Sequence, residues 1–293
     1  QGILQGVERA KVQQVFGLAE HLADKDITLI DKDTLQPGGD IEMYLRLNPA
    51  QPADTAFLQH SSGSTGLQKG VMLSHQAVIN HVASYSTAIA LQPDDVVVSW
   101  LPLYHDMGLI AGFIMPILQG LPLVLMSPFQ WVRDPKMLLM AIHRHKGTLC
   151  WLPNFAYNFL ATRVRDKDIA GLDLSSMRAF VNCSEPVYVE SHRQFVDKFA
   201  AYGLAESTLM TCYAMAENTF AVTQAGIGGA VRHDVIDRER IMADQVAAPA
   251  SGDTPNQIFV SCGKPIPHCD VKIVSSESPA NTLDERHVGE VAV

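Results

Sequence analysis

The sequence predicts an α/β fold: a largely parallel sheet flanked by helices, followed by a β-rich segment. Three observations carry this. Hydrophobic residues make up 47% of the 293 and charged residues only 18%, which suits elements buried on both faces. Short apolar runs alternate with helical periodicity through the middle of the chain. After about Gln224 the helical pattern stops, and short β-like runs return only near the end.

In order, an amphipathic helix is expected from roughly Val7 to Ala23, then an apolar step at Ala56-Phe57-Leu58. Strand-like runs follow at Val96–Trp100, Leu121–Met126, Thr148–Leu152 and Met177–Val181. Helical periodicity fills Ser74 to Leu91, Pro135 to His145, Asn154 to Arg165 and Val187 to Ala200. Ser74 and Asp134 are expected caps, the latter with Pro135 at the first helical position. Gly226 to Pro255 reads as loop, and Ile258–Ser261, Val271–Val274 and Val288–Val293 read as β. The organisation expected is an entry segment over 1–56, an α/β subdomain over 57–224 and a β-rich subdomain over 225–293.

Met107 to Val132 is uncharged and long enough to span a bilayer. Pro116, Gly120, Pro122 and Pro128 interrupt it. A helix to about Leu118, a turn at Gln119-Gly120 and a strand over Leu121–Met126 fit better. No membrane span is expected. With 22 Lys and Arg against 31 Asp and Glu, the net charge is −9; a nucleic-acid partner, which needs a basic surface, is not expected. Five Cys without a C-x-x-C pair read as free thiols of a reducing compartment, the cytoplasm. No structural metal is expected.

The sharpest local feature is Ser61-Ser62-Gly63-Ser64-Thr65-Gly66-Leu67-Gln68-Lys69-Gly70, read as lying between a strand and a helix starting near Ser74. Its glycines allow positive φ and expose successive N–H groups, its hydroxyls add donors, and Lys69 adds a charge. That equipment grips a polyphosphate. It is not a Walker loop, because Gln68 stands where that pattern has Gly. A plain Ser/Gly linker is the competing reading, and linkers do not usually end in Lys-Gly between a strand and a helix.

This loop resembles the signature loop of the adenylate-forming superfamily: acyl-CoA synthetases, fatty acyl-AMP ligases, luciferases and the adenylation domains of peptide synthetases. Gln68 replaces the usual Pro. Further motifs follow in the family's order. Leu101-Pro102-Leu103-Tyr104-His105-Asp106-Met107-Gly108 and Leu152-Pro153-Asn154-Phe155-Ala156-Tyr157 are similar to the fatty acyl-AMP ligase branch. Asn182-Cys183-Ser184-Glu185-Pro186-Val187 resembles the loop along the adenine. Cys212-Tyr213-Ala214-Met215-Ala216-Glu217 resembles the motif whose Tyr packs on adenine and whose Glu binds magnesium. Ser261-Cys262-Gly263-Lys264-Pro265 and Gly289-Glu290 resemble the β-rich part that follows. The resemblance covers about Phe57 to Val293.

What it implies is a site for ATP, magnesium and a carboxylic acid. Ser61, Ser62, Gly63, Ser64, Thr65, Gly66 and Lys69 would hold phosphate. Ser184, Glu185, Pro186, Cys212, Tyr213, Ala214 and Met215 would border the nucleotide. Glu217 and Ser61 would meet the metal; His105, Asp106, Met107 and Phe155 would meet the acid; His105 and Lys69 would act in catalysis. Taken singly, the residues leave other readings open. Tyr213 is more often a core aromatic, Glu217 a surface acid, and His105-Asp106 a pair orienting a turn. Asp106 could instead bind an amino group. Phe113, Met115, Trp151, Phe155 and Tyr157 suggest an acyl tunnel, though each alone reads as core.

Tyr-x-x-Ala-Glu occurs twice, at Tyr202–Glu206 and Tyr213–Glu217. The first copy follows a helix end, where Gly203 reads as its stop. The second follows Leu209–Cys212, a run able to form a buried strand, and ligands of open parallel sheets bind beyond the carboxyl ends of strands. Glu217 is therefore the expected metal carboxylate and Glu206 a surface residue. Gln1 is no initiator Met, and the family's ribose-binding Asp and lysine-bearing C-terminal domain find no match. A central piece of the family's large domain, inactive alone, is expected. The expected activity of its parent is formation of an acyl-adenylate from a fatty or related acid, then transfer to a carrier-protein phosphopantetheine. Coenzyme A as acceptor is the first alternative. A peptide-synthetase adenylation domain is the next, and a non-catalytic nucleotide-binding module, suggested by Ala214 where the family usually has Gly, is the rival from another class.

Overall fold

The computed structural model describes residues 2–4, 29–31, 49–60, 70–226, 229–252 and 254–293. The chain forms two compact units, Gln1–Gln51 and Pro52–Val293. In the first, β1 (Gly2–Leu4) pairs in parallel with β2 (Leu29–Asp31); the helix expected over Val7–Ala23 lies outside the described residues.

The second unit starts with an antiparallel pair, β3 (Thr55–His60) and β4 (Gly70–Ser74), in which His60 faces Gly70. Helix α1 (His75–Ala88) follows at once. Ser74 caps it, its hydroxyl accepting from the Ala77 N–H at 3.1 Å, and Val78, His81, Val82 and Tyr85 form its buried stripe. Then come β5 (Val97–Ser99), a π-helix over Met107–Ile114 that runs into α2 (Met115–Leu118), and β6 (Leu123–Leu125). The uncharged stretch thus folds as helix, turn and strand, and no helix among the described residues is long and apolar enough to cross a membrane.

Helices α3 (Pro128–Arg133) and α4 (Lys136–His145) lead to β7 (Leu149–Leu152). Asp134 does not cap α4 with its side chain; its backbone carbonyl accepts from Met137 instead, because Pro135 takes the N-cap position. Next come α5 (Asn154–Arg163), β8 (Ala179–Asn182), α6 (Val189–Phe199), β9 (Leu209–Ala214) and β10 (Ala221–Gln224). The expected loop over Gly226–Pro255 holds two further elements, β11 (His233–Asp237) and α7 (Arg238–Asp244). Asp237 starts that helix by accepting from the N–H groups of Glu239 and Arg240. Strands β12 (Asn256–Val260), β13 (Lys264–Pro265), β14 (Lys272–Val274) and β15 (Glu290–Ala292) complete the chain.

The central sheet has seven strands in the order β13-β10-β9-β8-β7-β5-β6. From β6 to β9 every pairing is parallel; β10 and β13 add antiparallel. Strands β7 and β8 are buried at every residue, as expected where helices cover both faces. Their side chains join α1, α4, α5 and α6 in one core that includes Tyr85, Leu138, Trp151, Tyr157, Phe180 and Phe195. All five cysteines are free thiols.

Candidate functional site

Strands β5, β7, β8 and β9 are neighbours and parallel, so their carboxyl ends share one edge of the sheet. The segments around Leu101–Gly108, Pro153–Tyr157, Cys183–Val187 and Met215–Glu217 all leave from that edge. This is where open parallel sheets bind ligands. Ser61, Ser62, Gly63, Ser64, Thr65, Gly66 and Lys69 lie outside the described residues. Their setting is still defined. The segment joins two antiparallel strands rather than a strand and a helix, since β4 intervenes before α1. Val71–Leu73 passes at sequence level for a helix run-in, yet its burial alternates as a strand's does.

After β5, His105 Nδ1 lies 2.6 Å from Asp106 Oδ1. The same carboxylate accepts from the Met107 N–H at 2.7 Å and so caps the π-helix. We place the His105 ring proton on Nδ1, donating to Asp106; the 3.3 Å approach of the Met107 N–H to that nitrogen is the weaker contact. The hydrogen bond to Asp106 raises the His105 pKa above its ordinary 6.5, with burial opposing. Gly108 is held close: a Cβ there would stand 2.3 Å from the Pro102 carbonyl oxygen. Asp106 therefore orients a turn, whatever else it meets.

After β8, Ser184 takes φ +70°, a conformation uncommon outside glycine. Its hydroxyl approaches Met107 Sδ at 3.9 Å. Glu185 reaches across to β7's loop, accepting from the Phe155 N–H at 2.9 Å. Beneath, Asn182 Nδ2 donates to Asn154 Oδ1 at 3.1 Å and lies 3.0 Å from His192 Nε2. Asn154 Oδ1 also accepts from the Tyr188 N–H. Burial pushes the His192 pKa down to about 4. Its neutral ring can accept from Asn182 through Nε2, and the β7 and β8 loops are tied together through buried amides.

Strand β9 ends in Tyr213 and Ala214, both partly buried. Burial raises the Tyr213 phenol, and the nearby Cys262 and Glu217 add to the shift. Glu217 is exposed, in a 3₁₀ turn over Ala216–Asn218 past the carboxyl end of β9. Glu206 sits at the other end of that strand, in a turn over Glu206–Thr208. Gly203, at φ +85°, stops the preceding helical turn as expected. A cavity of about 270 Å³ is lined in part by His192, Glu206, Leu209 and His233.

Met115, Trp151 and Tyr157 are fully enclosed core residues, whereas Phe155 is 46% exposed. Phe155 stands edge-on to Trp100 and Trp131, which stack with centroids 3.8 Å apart and planes 4° from parallel. The sequence reading missed this stack. Both indole N–H groups are buried without a hydrogen-bond partner among the described residues. It also missed Gln59 and His81, which bond to the backbone after β9.

A family model described as AMP-binding enzyme matches residues 5–293. The chain belongs to the AMP-binding enzyme family. Among relatives, it is 32% identical over 269 residues to the long-chain-fatty-acid–AMP ligase FadD26 of Mycobacterium marinum, covering 89% of this chain and 45% of that protein. It is 35% identical over 225 residues to the medium-chain-fatty-acid–[acyl-carrier-protein] ligase JamA of Moorena producens, covering 75% and 38%. A fatty acyl-adenylate ligase from L. pneumophila, solved with acyl adenylate and pyrophosphate, superimposes with TM-score 0.81 at 31% identity, over 93% of this chain and 48% of that one. The chain thus spans under half the length of these AMP-binding relatives. The match begins ahead of β3 and so takes in the β3–β4 hairpin as well as the four segments at the sheet edge.

Proposed function

We propose that this chain supplies the nucleotide- and acid-binding part of a ligase that converts a fatty or related carboxylic acid and ATP into acyl-adenylate and pyrophosphate, and then passes the acyl group to the phosphopantetheine thiol of a carrier protein. The observation that carries this is the gathering of four separate motif segments at the carboxyl ends of β5, β7, β8 and β9. The fatty acyl-AMP and carrier-protein ligases among its relatives support the choice of acid and acceptor.

In this reading residues 61–69 grip the triphosphate and Lys69 offsets its charge. Tyr213 packs on the adenine beside the Ser184–Pro186 loop. The acid enters past His105 and Phe155, with its carboxylate toward the α-phosphorus. Among the described residues no three His, Cys, Asp or Glu side chains converge on one point. Glu217 and the Ser61 hydroxyl offer hard oxygen donors, which suits Mg²⁺, an ion that keeps water and phosphate oxygens and takes one or two carboxylates. Bound magnesium would neutralise phosphate charge. The lysine-bearing C-terminal domain of the same protein and a cytoplasmic location belong to this proposal.

Pyrophosphate exchange tests it, in the longest natural polypeptide carrying this sequence, with a panel of fatty acids. Exchange that depends on a fatty acid, followed by acyl loading of a carrier protein, is expected. Loading of coenzyme A alone would favour the acyl-CoA ligase alternative. ATP binding without any exchange would favour a non-catalytic module.

A further inference from the structure

The turn between β9 and β10 carries Glu217, and its backbone is strained. Thr219 sits at φ +67°, ψ −51°, and the Phe220 N–H donates to the Asn218 carbonyl at 2.7 Å. This is a γ-turn with positive φ at its centre, which is rare and strained, and more so for a β-branched residue. Thr219 is only 4% exposed. Strain of this kind persists only where surrounding contacts over-determine the conformation.

Two buried polar side chains supply such contacts. Gln59 donates from Nε2 to the Thr219 carbonyl at 3.1 Å. His81 Nε2 accepts from the Ala221 N–H at 3.2 Å. Neither residue belongs to the sheet that bears the turn. Gln59 is the penultimate residue of β3, and His81 lies on the buried stripe of α1, directly after β4. Residues 61–69 are strung between β3 and β4. The strand before that segment therefore bonds to the Glu217 turn, and the helix after β4 bonds to the start of β10 where the turn ends. Of the turn's other bonds, Met215 N–H to Phe220 and Asn218 Nδ2 to Ala221 are internal, and Asn218 Nδ2 makes one longer outside contact, to Cys269 Sγ at 3.7 Å. Gln59 Oε1 is buried without a partner among the described residues. An apolar residue would remove that unsatisfied acceptor but would leave the Thr219 carbonyl without its donor.

We propose that Gln59 and His81 are positioning residues that fix the Glu217 turn from β3 and α1, so that a metal carried on nucleotide phosphates meets the Glu217 carboxylate. This rests on the reading of residues 61–69 and Glu217 given above. Both act through the backbone of the turn.

The test is calorimetric titration of ATP across a series of Mg²⁺ concentrations, in the longest natural polypeptide carrying this sequence, with thermal unfolding alongside. Gln59→Leu should raise the Mg²⁺ concentration for half-maximal ATP binding about three- to tenfold, the scale of one net hydrogen bond. ATP binding without Mg²⁺ should stay near wild type. His81→Leu should behave like Gln59→Leu, while His81→Gln, whose amide oxygen can accept from Ala221, should stay near wild type. A Mg²⁺ requirement unchanged in both leucine variants overturns the proposal, even if their thermal midpoints fall. Should Gln59→Leu not fold, the two His81 variants decide by the same criterion. Wild-type ATP binding that ignores Mg²⁺ would instead remove the metal reading of Glu217, and this proposal with it.

Discussion

The Glu185 carboxylate accepts a hydrogen bond from the Phe155 backbone N–H at 2.9 Å. Phe155 is the second residue of α5, whose N-cap position holds Pro153 and offers no side-chain cap. The loop after β8 therefore caps the helix after β7. Glu185→Ala should cost about 0.5–1 kcal/mol, the low end for a lost cap because the carboxylate is exposed. Glu185→Gln keeps an acceptor and should cost less. Urea unfolding of both variants checks this, and an alanine variant as stable as wild type would refute the cap.

Asp95 is fully buried. Its carboxylate accepts from Arg178 Nη1, from Thr148 Oγ1 at 2.6 Å and from the Gln92 N–H at 2.7 Å. These contacts gather at the amino ends of β5, β7 and β8, opposite the motif edge. Asp95→Ala leaves Arg178 and two further donors without their acceptor, and should cost about 3 kcal/mol. Nucleotide affinity of the folded fraction should be unchanged. A loss of affinity without a loss of stability would contradict this placement.

His105 should titrate above 6.5, because its hydrogen bond to Asp106 favours the charged ring. A raised folded-state pKa stabilises below the unfolded value, and that contribution disappears as pH rises through the raised one. Stability from this pair is thus full below about 6.5 and lost on the alkaline side. Proton NMR of the ring should give a midpoint above 6.5, brought down by Asp106→Asn. A midpoint at or below the ordinary value in the unaltered protein would mean the pair does not form in solution.

Exchanging glycine for alanine inside a helix ordinarily stabilises it by about 1 kcal/mol. At Gly108 the sign should reverse, because the new Cβ would lie 2.3 Å from backbone oxygen of Pro102. A loss of roughly 1–3 kcal/mol is expected, as for overpacked sites. Thermal unfolding of Gly108→Ala decides, and a raised midpoint would show that the π-helix can shift off β5.

Glu217→Gln should raise the magnesium needed for adenylation, while Glu206→Gln, at the opposite end of β9, should leave it nearly alone. Magnesium titrations of pyrophosphate exchange compare them. The reverse order would mean that the first Tyr-x-x-Ala-Glu copy is the functional one, and the adenine role of Tyr213 would fall with it.

Much of the sheet was legible because strands covered on both faces are short, unbroken apolar runs, as Leu149–Leu152 and Ala179–Asn182 are. Arg238–Asp244 was not, because that helix buries none of its residues and so shows no apolar stripe. Its only local signal is Asp237, which caps it by accepting from the Glu239 and Arg240 N–H groups. At the candidate site, spacing placed the motifs beyond strand ends. It did not reveal that Asp106 and Glu185 bond to backbone, or that Trp100 lies flat on Trp131. The bond from Gln59 to Thr219 joins positions 160 apart, and no local periodicity encodes a contact of that range.

The hairpin of β3 and β4 is local, pairing His60 with Gly70, whereas the parallel sheet pairs Val97 with Leu149 and Leu149 with Ala179. Hairpins close in about 1–10 μs, and pairings across long separations come much later. The bracket around residues 61–69 should therefore exist early in refolding, as should the equally local β9–β10 hairpin that carries the Glu217 turn. Gln59 then waits for Thr219, and their bond should be among the last to close. The Glu217 turn would then be tied to the β3–β4 hairpin only in the slowest refolding phase, well after most of the helical signal has returned.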